Sequence, residues 1–200
     1  MKLHPKAIIY SLLIDPLLSG LRKAVAEEIS GSDSVIDIAC GPGTLAIEMA
    51  QRAVHVTGID LDENLISFAI SRAEKKGIMN VDFSVHDASH LLIYRENEFD
   101  FAVTSMAIHQ FREDLAVKIL IAMKRIARKV VIADYNCPLP RSFSGSVAFG
   151  IERLARGDHY RNFCNYMSRG GLTWFAGKAG LTIRSRAVKG NKVFVVAGCG

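Results

Sequence analysis

Short apolar segments typical of buried strands alternate along this 200-residue chain with segments of helical periodicity. Strands separated by helices favour a parallel sheet with helices packed on both faces. The alternation therefore predicts an α/β fold and excludes all-helical and all-β architectures. The predicted strands cover residues 35–39, 54–60, 81–87, 99–106 and 129–135.

The predicted helices carry recognisable start and stop signals. Asp15-Pro16 predicts the start of a first helix that ends near Gly31, and Thr44 is the expected cap of the second. Asp62 opens a third helix that stops at Gly77. A fourth is predicted from apolar residues spaced at helical intervals over 108–126.

The last third of the chain departs from this alternation. Two apolar segments, 181–188 and 192–199, flank Gly190-Asn191, a hairpin-turn signal, so the sheet is expected to end in two strands, at least one of them antiparallel. Residues 136–170 are too many for a plain connection. They predict a helical cap inserted into a single domain spanning 1–200.

Glycines and acidic residues mark the carboxyl ends of the first three predicted strands. Asp37 lies inside the first strand, Gly41 and Gly43 follow it, and Asp60 and Asp87 end the second and third. Glycines let a ligand approach the backbone closely, and a carboxylate after the second strand can accept both hydroxyls of a ribose. The sequence predicts a nucleoside-containing cofactor across these strand ends.

The segment 41–46 also fits the dinucleotide pattern G-x-G-x-x-A, which leaves a nicotinamide-dependent oxidoreductase open. Two features argue against that alternative. Asp37 places a negative charge beside the turn, which is unfavourable for a pyrophosphate but suits a cofactor with an ammonium and a sulfonium group. The chain also ends in a hairpin rather than in a second mononucleotide-binding half.

VIDIACGPGTLAIEMA, GIDLDENLISFA, SVHDASHL and FDFAVTSMAIHQF together resemble the motifs of class I S-adenosylmethionine-dependent methyltransferases, in particular the small-molecule, type 11-like group. The resemblance covers about 15–135 and 171–199, with Ala39 replacing the first motif glycine. It implies a seven-stranded, mostly parallel Rossmann-like sheet with helices on both faces, a terminal antiparallel hairpin and a small helical cap. The implied cofactor-binding residues are Asp37, Ala39, Cys40, Gly41, Gly43, Asp60, Leu61, Asp87, Ala88 and Ser105.

The resemblance leaves the methyl acceptor open. His109 is the best-placed candidate for a catalytic base, with a solvent-facing histidine as the alternative, and Asp87 could cap the next helix as well as approach the adenine. The expected acceptor pocket lies under the cap and the segment around Tyr10. Cap aromatics would line it and cap arginines would hold an anionic group: Phe143, Phe149, Tyr160, Phe163 and Tyr166, with Arg153, Arg156 and Arg161.

Charge and cysteine content complete the expectations. Residues 141–200 hold ten Lys and Arg against Glu152 and Asp158, so an RNA or another polyanion is the alternative to a small-molecule acceptor. The four cysteines show no metal-ligand spacing, so no metal site is predicted. Asp15 and Pro16 interrupt the apolar N-terminal segment, and no run is long enough to span a bilayer, so a cytoplasmic location is expected. The sequence leaves the oligomeric state open.

Overall fold

A seven-stranded sheet with the order β3-β2-β1-β4-β5-β7-β6 forms the centre of the chain. The computed structural model describes residues 17–29, 31 and 33–200. The strands are β1 (Ser34–Ile38), β2 (His55–Asp60), β3 (Val81–Val85), β4 (Phe99–Ser105), β5 (Ala127–Tyr135), β6 (Ile183–Lys189) and β7 (Phe194–Cys199).

Strand direction follows the sequence prediction. Strands β1 to β5 pair in parallel, whereas β7 runs antiparallel to both β5 and β6. The hairpin between β6 and β7 turns at Gly190 and Asn191, whose φ angles of 55° and 51° are both left-handed. The mostly parallel sheet with a terminal antiparallel hairpin is therefore confirmed.

Helices cover both faces of the sheet. They are α1 (Ser19–Ala26), α2 (Thr44–Ala50), α3 (Glu63–Lys76), α4 (Glu113–Ile126), α5 (Phe143–Ala155), α6 (Gly157–Arg169) and α7 (Leu172–Lys178). Two buried clusters result, one joining α1 and α2 to the sheet and the other joining α4, α6 and α7 to it. Burial of both sheet faces explains why the strand segments are almost continuously apolar.

The helix signals differ in how well they locate the ends. Asp62 caps α3 by accepting hydrogen bonds from the amides of Asn64 and Leu65, and Gly77 ends the helix in a left-handed conformation, as predicted. The prediction that Thr44 caps α2 is wrong, because Gly43 occupies the cap position and the Thr44 hydroxyl accepts a hydrogen bond from Arg72 instead. The signal at Asp15-Pro16 lies outside the described residues.

The helix predicted over 108–126 is two elements. A 3-10 turn, Ile108–Gln110, follows β4, and α4 begins only at Glu113. The apolar spacing continues across the break because both elements contribute buried residues to the same cluster. The separate turn orients His109 away from the axis of α4 and towards β5, where it meets Asp134.

The inserted segment is helical, as expected. Helices α5 and α6 meet at Arg156, whose φ of 58° and ψ of −176° are strained for a residue with a side chain. The Asn162 side chain donates to the carbonyl of Gln110 at 2.7 Å, which fixes α6 to the turn after β4. Within the part of the chain that the structure describes, no helix is long and apolar enough to cross a bilayer.

Candidate active site

A cavity of about 440 Å³ opens at the carboxyl ends of β1 to β4. Nine of the ten predicted cofactor-binding residues line it: Asp37, Ala39, Cys40, Gly41, Asp60, Leu61, Asp87, Ala88 and Ser105. Parallel strands bring their carboxyl ends to one edge of the sheet, which is where open α/β sheets bind ligands. We call this space the strand-end cavity.

Asp60 joins the turn after β1 to the start of α3. One carboxylate oxygen accepts a hydrogen bond from the Gly41 amide at 2.8 Å, and the other accepts one from the Asp62 amide at 2.9 Å. Each oxygen keeps a second lone pair that can face the cavity. Gly41 has a φ of 54° and an open position beside its Cα, so a ligand can approach its backbone.

The tenth predicted residue, Gly43, is required for packing and does not line the cavity. A Cβ at this position would lie 2.6 Å from the Cβ of Ala69 and 2.7 Å from the ring of Phe83. Its φ of 71° is also left-handed. The structure thus gives Gly43 a reason to be glycine that is independent of ligand contact.

Asp37 is buried, and neither of its carboxylate oxygens has a hydrogen-bond partner among the described residues. Burial, with a smaller contribution from the charge of Asp60, raises the pKa of Asp37 to about 8. An unpaired carboxylate in a cavity is stabilised by a cationic ligand. The residues present therefore fit a cofactor that carries a sulfonium and an ammonium group.

Asp87 and Leu61, which also line the strand-end cavity, differ in how far hydrogen bonds fix their side chains. Asp87 accepts a hydrogen bond from the Ser89 amide at 2.7 Å and so caps the 3-10 helix Ala88–Ile93, which fulfils the capping alternative. These backbone and hydroxyl hydrogen bonds from Ser89 lower the pKa of Asp87. Leu61 is 70% exposed, which leaves its side chain free to cover a ligand.

A second cavity of about 470 Å³ adjoins the first. Leu18, Met106 and Gln110 line both, so the two spaces share a wall formed by the segment after β4 and by the residue that precedes α1. Most of the second lining comes from α5, His159 of α6 and the β6–β7 turn. We call it the cap cavity.

His109 lines the cap cavity, but its surroundings differ from those of a solvent-facing histidine. It is 1% exposed, its Nδ1 lies 2.6 Å from Asp134 Oδ1, and its Nε2 lies 3.5 Å from Glu152 Oε1. Burial alone lowers the pKa of His109, but the nearby charges of Asp134 and Glu152, together with the hydrogen bond to Asp134, outweigh it and raise the pKa to about 9. An imidazole that is already protonated near neutral pH does not fit the predicted role of general base.

Glu152 connects His109 to two further groups. Its Oε1 accepts a hydrogen bond from the Tyr135 hydroxyl at 2.8 Å, and its Oε2 lies 2.5 Å from His159 Nε2. Burial raises the pKa of Glu152, but the contacts with His109, His159 and Tyr135 reverse that effect and lower it. No role for Glu152 is predicted from the sequence, although it is one of only two acidic residues in the basic segment 141–200.

Most of the expected acceptor-pocket residues lie elsewhere. Of the five aromatics, Phe143 lines the cap cavity, whereas Phe163 and Tyr166 are fully buried in the core. Phe149 and Tyr160 pack edge-on against each other with ring centroids 6.0 Å apart. The three arginines are exposed and do not line the cavity, so this lining gives no support to an arginine-bound anion, which stays a prediction. Tyr10 lies outside the described residues.

The sheet order and the terminal hairpin are those of the Rossmann-like methyltransferase fold. Residues 35–129 match the family described as "Methyltransferase domain". The chain therefore carries a methyltransferase domain, and the cofactor of its class is S-adenosylmethionine. The family match therefore favours a methyltransferase over the nicotinamide-dependent oxidoreductase.

The chain is similar over most of its length to a ubiquinone biosynthesis O-methyltransferase of Bordetella parapertussis, with 29% identity over 84% of this chain and 69% of the relative. An uncharacterized RNA methyltransferase of Halalkalibacterium halodurans is 41% identical over 32% of this chain, which spans 14% of that protein's length. The crystal structure of a SAM-dependent methyltransferase from Aquifex aeolicus has a TM-score of 0.72 at 17% identity, covering 99% of this chain and 98% of that one.

Proposed function

We propose that this protein transfers a methyl group from S-adenosylmethionine to an oxygen atom of a small, largely apolar molecule bound in the cap cavity. The observation that carries the proposal is the wall shared by the two cavities at Leu18, Met106 and Gln110. A cofactor at the strand ends and an acceptor under the cap would meet across that wall.

The lining of the cap cavity supports the choice of acceptor. Phe143, Val147 and Ile151 of α5 supply apolar surface, and His109 and Glu152 add polar groups to the same lining. Apolar walls with a few convergent polar groups are typical of small-molecule sites, where the polar groups set the orientation. An apolar molecule bearing a hydroxyl group fits both features.

The comparisons also favour a small acceptor over RNA. The alignment with the O-methyltransferase extends over 84% of this chain, whereas that with the Halalkalibacterium RNA methyltransferase extends over 32%. A longer alignment includes more of the acceptor side. RNA methylation stays the alternative, supported by the basic last third, in which exposed Arg153, Arg156 and Arg161 lie on the outer surface.

In this proposal the protein contributes mainly by positioning. Bound S-adenosylmethionine supplies an electrophilic methyl group. Asp37 would face its positive charge, and Asp60, which the Gly41 amide holds in place, would accept from the ribose hydroxyls. The apolar walls of the cap cavity exclude water and align the acceptor, and alignment of this kind can supply roughly 7 to 11 kcal/mol in favourable cases.

Val147→Trp tests where the acceptor binds. Val147 lines the cap cavity but not the strand-end cavity. Because its side chain is partly exposed, a tryptophan there should narrow the cap cavity without disrupting the packing of the core. Methyl transfer from labelled cofactor to a panel of apolar phenols and catechols is measured alongside calorimetric titration with S-adenosylhomocysteine. We expect kcat/KM to fall at least about tenfold, which is roughly 1.4 kcal/mol, while the cofactor Kd stays within about twofold.

Val188→Trp is the matched control, because Val188 is exposed on β6 and lines neither cavity. Equal turnover by Val147→Trp and the parent would place the acceptor elsewhere. Methylation of RNA but of no small molecule, with binding that weakens steeply with salt, would favour the alternative.

A further inference from the structure

Three side chains of types that bind metal ions come together in the lining of the cap cavity. His109, Glu152 and His159 each offer one ligand atom, and these atoms lie within 4.8 Å of one another. His109 comes from the turn after β4, Glu152 from α5 and His159 from α6. The fold therefore assembles the group from three elements, and the sequence spacing alone gives no metal-binding signature.

We propose that His109, Glu152 and His159 form a binding site for a divalent transition-metal ion, with Zn²⁺ as the representative ion. Two imidazoles and one carboxylate are ligands that such ions accept, and three protein ligands leave a further position open.

The unpaired nitrogen of His109 points to a ligand that the protein itself does not supply. Its Nε2 is buried without a hydrogen-bond partner among the described residues, and it faces Glu152 Oε1 at 3.5 Å. Buried polar atoms are normally satisfied, because leaving one unpaired costs about 1–3 kcal/mol. A metal ion between His109 and Glu152 would satisfy it.

The distances suit tetrahedral coordination. Ligand bonds of about 2.0–2.2 Å in that geometry separate neighbouring ligand atoms by roughly 3.3–3.6 Å. The His109 to Glu152 separation of 3.5 Å already lies within this range. His159 Nε2 lies 2.5 Å from the other carboxylate oxygen, Oε2, so His159 must shift for both imidazoles to reach an ion on Oε1, and its side chain is 33% exposed.

Asp134 supplies the partner that metal-binding histidines commonly have. Its Oδ1 lies 2.6 Å from Nδ1 of His109, so a proton held on Nδ1 leaves Nε2 free for the ion. The Tyr135 hydroxyl donates to Glu152 Oε1, the oxygen that faces His109, and so holds that carboxylate in place. Asp134 and Glu152 together carry two negative charges, which a divalent cation would neutralise with both imidazoles uncharged.

The open position of the ion would face the cap cavity, which all three ligands line. Its role in catalysis rests on the proposed function: the ion would hold the acceptor oxygen and lower the pKa of that hydroxyl. The O–H proton leaves to water, the O–CH₃ bond forms as the S–CH₃ bond breaks, and the electron pair of the broken bond stays on sulfur.

Metal binding is tested on the untagged full chain, stripped with a chelator and titrated with Zn²⁺ by calorimetry and with Co²⁺ by visible absorption. We expect one equivalent to bind, with the intense absorption band of four-coordinate Co²⁺. His159→Gln and Glu152→Gln should each weaken binding at least about 10–100-fold. Thermal unfolding of each variant establishes that it is folded.

His55→Gln is the matched control, because His55 also faces a carboxylate, Asp82, at 3.2 Å but lies at the opposite end of the sheet. Unchanged stoichiometry and affinity in His159→Gln and Glu152→Gln would overturn the site, as would a parent that binds neither ion. Neither titration involves methyl transfer. A protein that binds Zn²⁺ here but methylates no acceptor would refute the proposed function and leave the metal site standing.

Discussion

The buried carboxylate of Asp37 makes cofactor binding dependent on pH. The pKa of Asp37 is raised from 3.8 to about 8, so in the free protein this carboxyl is mostly protonated at pH 7. A cofactor that carries positive charge binds best when Asp37 is ionised. Binding between pH 6 and 8 should therefore release a proton, and the affinity should rise with pH.

The magnitude follows from that pKa. If the bound form requires ionised Asp37, the competent fraction of free protein is about 1% at pH 6 and about 50% at pH 8. The Kd for S-adenosylmethionine should then fall about 50-fold across this range, which is roughly 2.3 kcal/mol. In Asp37→Asn the Kd should be nearly independent of pH and close to, or weaker than, that of the parent at pH 6.

Calorimetric titration at pH 6, 7 and 8, in buffers of different ionisation enthalpy, measures both the affinity and the released proton. Adenosine is the control ligand, because it lacks the sulfonium and the ammonium group and should show no such dependence. A parent Kd for S-adenosylmethionine that stays constant from pH 6 to 8 would show that Asp37 does not face the cofactor's charge.

The same raised pKa affects stability. The folded chain keeps the Asp37 proton between about pH 4 and 8 while the unfolded chain loses it, so the free protein should lose stability as pH rises through that window. The upper limit of this loss is on the order of 5 kcal/mol, at 1.36 kcal/mol per pKa unit. In urea unfolding, Asp37→Asn should match the parent near pH 4 and exceed it at pH 8. If the free energies of unfolding of the parent and Asp37→Asn changed with pH in the same way, the raised pKa of Asp37 would be contradicted.

Three further substitutions test other parts of the structure. Asp60→Asn should weaken cofactor binding by about 1.5–3 kcal/mol, measured by titration, whereas Asp82→Asn on the exposed side of β3 should not. Gly43→Ala should destabilise the fold by more than about 1 kcal/mol in urea unfolding, because its Cβ would collide with packed neighbours, whereas Gly20→Ala in α1 should stabilise it by about 0.5–1 kcal/mol. Arg156→Gly should raise stability by about 1 kcal/mol, whereas Arg156→Ala keeps the strained backbone and should not. If the two variants of a pair changed the cofactor Kd, or the free energy of unfolding, by the same amount, the role given to the first residue of that pair would be contradicted.

The sheet and the strand-end cavity could be predicted from sequence because their signals are local. An apolar strand followed by Gly41 and an acid at the end of the next strand requires no knowledge of distant packing. Parallel pairing then brings the strand ends together without further information. The boundaries of α3 were equally readable, because Asp62 and Gly77 each act within one helical turn.

The cap cavity could not be predicted in this way, because the polar residues at and beside it lie far apart in the sequence. His109, Asp134 and Glu152 meet only after β4, β5 and α5 are packed. The cap aromatics carry no sign of which side they face, and Phe163 and Tyr166 enter the core as the 3.6-residue period of α6 places them inward. The packing role of Gly43 could not be predicted either, because a turn motif does not indicate that Phe83 will lie against it.

The two amide hydrogen bonds of Asp60 have a consequence for how fast the cofactor can bind. Because Gly41 and Asp62 are tied to one carboxylate before any ligand arrives, the turn and the start of α3 are preorganised by folding itself. The ligand then bears little entropy cost for ordering this part of its site. We therefore expect association at the proposed ribose end to be limited by entry into the cavity and not by rearrangement of this turn.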